Sequence, residues 1–111
     1  MKLKKYEKLE NQVAAVWPEG YVTDGSGSVH NEADVRSKSI GPASDFIIEC
    51  KFRNKMNFIL TKKVFDKLEL QCLQRGKKPV WVLENSEGEK ISIMRWDDLV
   101  SLVNMLERKD E

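Results

Sequence analysis

The stretch Asp45–Phe52, Asp-Phe-Ile-Ile-Glu-Cys-Lys-Phe, constrains this chain more than any other. Branched and aromatic side chains at this density favour a β-strand, and a strand sends alternate side chains to opposite faces. Phe46, Ile48, Cys50 and Phe52 then share one face, and Asp45, Ile47, Glu49 and Lys51 share the other. Glu49 and Lys51 thus stand together at the end of an apolar run. Burying either charge there is costly unless it is paired or binds a metal.

The preceding residues sharpen the point. Ala33 to Ile40 also read as extended, and Gly41-Pro42-Ala43-Ser44 has turn composition. A turn centred on Pro42 and Ala43 sets Asp34 opposite Lys51, and Arg36 opposite Glu49. Opposed residues of an antiparallel pair point to the same face, so Asp34, Glu49 and Lys51 converge on one patch. A slip of one residue would break that convergence.

With 111 residues, the chain is expected to form a single domain over residues 1–111. Lys4 to Trp17 reads as an amphipathic helix, with Tyr6, Leu9, Val13, Val16 and Trp17 on its apolar side and Pro18 as its stop. Glu10 borders that apolar side; Glu7 is the other acidic candidate. Asp24-Gly25-Ser26-Gly27-Ser28 is a loop whose hydroxyls and N–H groups could hold a phosphate, but it is no Walker A loop. Thr61 caps a helix over Lys62–Arg75 that turns Val64, Phe65, Leu68 and Cys72 inward, and Gly76 closes it. Pro79–Leu83 reads as a buried strand, Asn85–Gly88 as a turn and Lys90–Met94 as another strand. A final helix from about Asp97 carries Leu99, Leu102, Val103 and Leu106 at core spacing. Trp81 and Trp96 are expected in the core. The order predicts an α/β fold with a central mixed β-sheet flanked by α-helices.

Several classes are set aside. No apolar run is long enough to span a membrane. The basic start, Met1 to Lys5, lacks the apolar segment of a signal peptide, so a cytoplasmic protein of a prokaryotic or phage-infected cell is expected. His30 is the only histidine, and Cys50 and Cys72 lie within apolar patterns, which excludes a zinc site and favours a reducing compartment.

The net charge of +1 hides an asymmetry. Between Lys51 and Lys78 only Asp66 and Glu69 oppose nine basic residues, whereas the C-terminal part is acidic. A positive surface beside the patch suits a polyanion; a solvated helix face balanced by acid elsewhere is the other reading.

Two carboxylates on one patch can hold a hard divalent cation through oxygen, magnesium above all. Asp34 and Glu49 would be its ligands, joined by the Cys50 backbone carbonyl and by Glu10. Such a metal polarises a phosphodiester, while Lys51 orients the attacking water or stabilises developing charge. The alternative is a structural hairpin with Asp34–Lys51 and Arg36–Glu49 as cross-strand salt bridges.

Asp34 with Glu49-Cys50-Lys51 resembles the PD-(D/E)XK nuclease signature. Gly25-Ser26-Gly27-Ser28 before Asp34, and Leu9-Glu10 before Val13-Ala14, resemble the archaeal-type Holliday junction resolvase branch; the likeness runs from about Tyr6 to Leu83. It implies a restriction-endonuclease-like fold and a magnesium-dependent DNA endonuclease, with manganese as a substitute metal. It implies metal binding by Glu10 (or Glu7), Asp34 and Glu49, catalysis by Lys51, and a contribution from Ser28 or Ser26. It further implies a homodimer acting on four-way DNA junctions, with flaps, nicks or duplex as other substrates and an inactive DNA-binding module as the non-enzymatic version. Ser26, Arg36, Lys38, Arg53, Lys55, Lys62, Lys63 and Lys67 are the expected DNA contacts. Two departures stand out: Ala33 precedes Asp34 where the family often has proline, and Gln71 is followed by Arg75 rather than the tyrosine of the related exonucleases.

Overall fold

A computed structural model describes residues 3–24, 33–54 and 61–108. Helix α1 (Lys5–Val16) ends where Pro18 forces Trp17 into extended backbone, at φ −78° and ψ 135°. Glu19 then takes a left-handed φ of 48°, which turns the chain into strand β1 (Gly20–Val22). Gly20 cannot be larger, because a Cβ there would collide with the Ala14 carbonyl oxygen. Strand β1 is absent from the elements expected of the sequence. It pairs antiparallel with β2 (Val35–Ser37), Tyr21 lying opposite Arg36.

Strand β3 (Phe46–Phe52) follows a single turn of 3₁₀-helix over Pro42–Asp45, in place of the expected tight turn. The chain then crosses over through helix α2 (Lys62–Arg75) to β4 (Lys78–Glu84), which pairs parallel with β3 along its whole length. Strand β5 (Lys90–Met94) returns antiparallel to β4, and helix α3 (Trp96–Arg108) ends the described chain. The result is a five-stranded mixed sheet in the order β1-β2-β3-β4-β5, with three α-helices among the described residues. None of these helices is long and apolar enough to cross a membrane.

The alternation expected of β3 builds two cores. Ile48 and Cys50 pack with Leu9 and Val13 of α1 and with Val35 of β2. Ile47 points the other way, into a cluster with Leu68 and Cys72 of α2 and with Trp81 of β4. Phe65 stacks on Trp81 at 5.1 Å between ring centroids. Helix α2 matches its predicted bounds: the Thr61 hydroxyl accepts from the Val64 N–H at 3.3 Å, and Gly76 closes it in left-handed backbone at φ 64°.

Six side chains are placed differently from expectation. Tyr6 and Val16 of α1 are exposed rather than inward, because the sheet contacts chiefly the Leu9–Val13 line of the helix. Trp96 is exposed, not in the core. Leu99, Val103 and Leu106 of α3 are exposed as well; along α3 only Asp98 and Leu102 are half-buried.

Candidate active site

The β2–β3 register decides what meets what. Val35 pairs with Ile48, and continuing the register sets Asp34 beside Glu49 and Arg36 beside Ile47. The expected partners, Asp34–Lys51 and Arg36–Glu49, are therefore displaced by two residues. The 3₁₀ turn takes up the residues that a tight turn would have left to the strands. Because the strand period is also two, the displacement leaves every side chain on its expected face. Val35 and Ile48 turn toward α1; Asp34, Arg36, Ile47, Glu49 and Lys51 turn toward α2.

Asp34 is the most confined acid of this group, at 3% exposure. Its backbone is fixed by the residue after β1: the Thr23 N–H donates to the Asp34 carbonyl at 2.8 Å, and the Asp34 N–H donates to Thr23 Oγ1 at 2.9 Å. Its carboxylate accepts two bonds from the Arg36 guanidinium, at 2.7 and 3.2 Å, and one from Gln71 Nε2 at 3.0 Å. The bond to Asp34 raises the Arg36 pKa above its ordinary value against the opposing pull of burial, so the guanidinium stays charged. Glu49 and Lys51 form a second pair, with Lys51 Nζ 3.6 Å from Glu49 Oε1. These two salt bridges thus run along each strand, i to i+2, and not across the hairpin.

Glu10 is buried on α1, the helix that packs against the other face of the sheet from α2. Its influence reaches the strand nonetheless. The Cys50 thiol is pushed up to about 12, first by burial and then by the charges of Glu10, Glu49 and Asp34. Glu7 serves the helix itself, because its carboxylate accepts from the Lys4 N–H at 3.3 Å at the start of α1. Among the described residues, no three His, Cys, Asp or Glu side chains gather closely enough to cage a metal ion.

The expected DNA contacts divide. Lys63 and Lys67 are exposed on α2. Lys62 is exposed but paired with Asp66 at 2.9 Å. Arg53 donates to the Phe52 carbonyl at 2.8 Å, and Lys38 lies over the Tyr21 ring at 5.3 Å. Arg36 is committed to Asp34. Ser26, Ser28, Lys55 and the rest of the Gly-Ser loop beyond Asp24 lie outside the described residues.

Sequence reasoning missed Gln71 and Thr23 as holders of Asp34. Gln71 follows Leu68 by three residues, which puts it at the border of the inward stripe of α2, and the exonuclease motif that it fails to complete is the other signal that singles it out. No family model matches the chain, and no curated protein or solved structure matches it.

Proposed function

We propose that this chain is a magnesium-dependent DNA endonuclease of the PD-(D/E)XK type, with a restriction-endonuclease-like fold, acting as a homodimer on four-way junctions. The observation that carries the reading is the shared face of Asp34, Glu49 and Lys51 on adjoining strands, with Asp34 buried and held by Arg36 and Gln71. Stability alone gives little reason to bury a carboxylate there, since an apolar residue of similar volume is often as good.

The donor set suits magnesium, which takes one or two carboxylates and completes its shell with water and phosphate oxygens. Asp34 and Glu49 would hold it, with the Cys50 carbonyl as a further oxygen donor; Glu10 lies on the α1 side of the sheet and would have to move to join them, as Arg36 would have to yield a place on Asp34. When bound, the ion supplies Lewis-acid polarisation of the phosphodiester and a more acidic water. Lys51, anchored beside Glu49, stabilises negative charge developing on the phosphate. Lys63 and Lys67 meet the backbone of the nucleic acid through charge rather than sequence.

A second reading rests on the same ion pairs: Asp34–Arg36 and Glu49–Lys51 are structural, and the chain is an inactive DNA-binding module. One experiment separates the two. A synthetic four-way junction and a matched linear duplex are incubated with wild type and with Glu49→Ala, with and without magnesium. Paired cuts in the junction alone, dependent on both magnesium and Glu49, support the resolvase. Equal cutting of both substrates keeps a nuclease for flaps, nicks or duplex and discards the junction. Absence of cleavage by folded wild type, with binding retained, leaves the module.

A further inference from the structure

The first two turns of α1 gather charge that the helix itself does not favour. Lys4, Lys5 and Lys8 are all exposed there, and Glu7 is the one acid between them. Lysines at the start of a helix oppose the positive end of its dipole, so helix stability does not account for three of them. Among the described residues no carboxylate forms an ion pair with any of the three. Two of them lie against aromatic rings instead: Lys5 Nζ is 4.8 Å from the centre of the Phe52 ring, and Lys4 Nζ is 5.8 Å from that of Tyr6. An ammonium held over a ring keeps N–H donors for an anion.

Phe52 fixes where this surface stands. It shares the α1 side of β3 with Ile48 and Cys50, whereas its neighbour Lys51 turns to the α2 side. Arg53 follows, exposed, at the tip of the strand. Positive charge therefore runs around the end of β3, from Lys51 in the candidate site through Arg53 to Lys5, Lys4 and Lys8. The acids close by do not cancel it: Glu49 is paired with Lys51, Glu84 is paired with Lys90, and Glu10 is buried beneath the helix. Glu7, whose carboxylate accepts from the Lys4 N–H, offsets one cation at most.

We infer that Lys4, Lys5 and Lys8, with Arg53, form a second phosphate-binding surface, which takes the backbone of a second arm of a branched DNA. The inference rests on the nuclease reading for the identity of the polyanion. It adds a cause for substrate choice. Lys63 and Lys67 stand on α2, on the opposite face of the sheet from α1. Duplex DNA is stiff over the span of a small protein, so one straight duplex cannot follow both faces at once. A four-way junction presents an arm to each.

The test is binding of a fluorescein-labelled four-way junction and of a matched duplex, followed by anisotropy in EDTA across a range of salt concentrations, so that no cleavage intervenes. The logarithm of affinity falls with that of salt by about one unit for each phosphate neutralised. Lys4→Gln/Lys5→Gln/Lys8→Gln should lower the junction slope by about 2–3 and weaken junction binding by roughly 10–100-fold, with the duplex slope lowered by less than about 1. Lys4→Arg/Lys5→Arg/Lys8→Arg should bind as wild type does. Circular dichroism should show unchanged helix content in both, since all three side chains are exposed. Lys63→Gln/Lys67→Gln, measured beside them, separates this inference from the reading beneath it. A wild-type junction slope in the α1 glutamine variant, with a lowered slope in the α2 variant, overturns the α1 surface and leaves the nuclease reading standing. Equal losses on junction and duplex overturn the second arm. A wild type that binds neither DNA overturns both.

Discussion

Removing Arg36 should harm this protein more than neutralising Asp34, although the two form one ion pair. The partners are unequally buried: the Asp34 side chain is 5% exposed and that of Arg36 is 23%. In Arg36→Gln the buried carboxylate keeps Gln71 but loses its counter-charge. Stranding a buried charge costs about 3–5 kcal/mol when it is fully enclosed; the partial access of solvent at this edge brings the expectation to about 2–3 kcal/mol. In Asp34→Asn the amide still bonds Gln71, and the released guanidinium can turn to water. The loss is then the net worth of the two Arg36 bonds, exchanged for bonds to water, about 1–2 kcal/mol.

Urea unfolding of wild type, both single variants and the double variant Asp34→Asn/Arg36→Gln measures these differences, with the denaturant slope checked for constancy. The double variant should cost less than the sum of the singles, because once Asp34 is neutral nothing is stranded by the loss of Arg36. If Asp34→Asn proves as costly as Arg36→Gln, or if the costs simply add, the argument from unequal burial is wrong.

Two further outcomes follow from the local chemistry. Burial holds the thiols of Cys50 and Cys72 up at about 12 and about 11, against an ordinary value of 9.0. The unfolded chain loses those protons first, so stability falls as pH rises above about 9 and reaches its full loss near the folded values; Cys50→Ala should flatten the alkaline limb of a stability–pH curve. Thr61→Ala removes the cap of α2 and should lower stability by about 1 kcal/mol in the same urea assay, with Thr61→Ser restoring most of it.

Helix α2 is legible end to end in the sequence because its cap, its apolar stripe and its closing glycine are all local signals. The two faces of β3 are legible for the same reason. What local chemistry does not encode stays hidden. Gly20-Tyr21-Val22 is too short to display a period, and it is a strand because Val35–Ser37 lies beside it. The turn before β3 is ambiguous because Pro42 fits the first position of a 3₁₀ turn as well as a tight turn. That ambiguity moves the pairing by two residues, and the candidate site keeps its face only because two is the strand period. For α3, periodicity announces an apolar face without saying what covers it. The ligands of Asp34 are hidden for a related reason: the expected acid for Arg36 lies across the hairpin, whereas its actual one lies two residues back on its own chain segment.

The position of Arg36 carries a consequence for the proposed metal. A guanidinium and a magnesium ion cannot both occupy the Asp34 oxygens, so in that reading they compete. Arg36→Gln, though less stable than wild type, should bind magnesium more tightly. For a site of millimolar affinity, ten millimolar magnesium stabilises the folded state by about 1.4 kcal/mol. In a domain of this size that raises the melting temperature by about 5–10 °C. The rise should be largest in Arg36→Gln, smaller in wild type, where the ion must first displace the arginine, and absent in Asp34→Asn/Arg36→Gln. Equal rises in all three proteins would place the ion elsewhere and remove Asp34 from the metal site. The ranking matters beyond the metal. An arginine released from Asp34 is a free cation beside the proposed phosphate path, so the ion that weakens the Asp34–Arg36 pair would at the same time strengthen the hold on DNA. Magnesium should then tighten junction binding by wild type more than by Arg36→Gln, even in an uncleaving Lys51→Ala background.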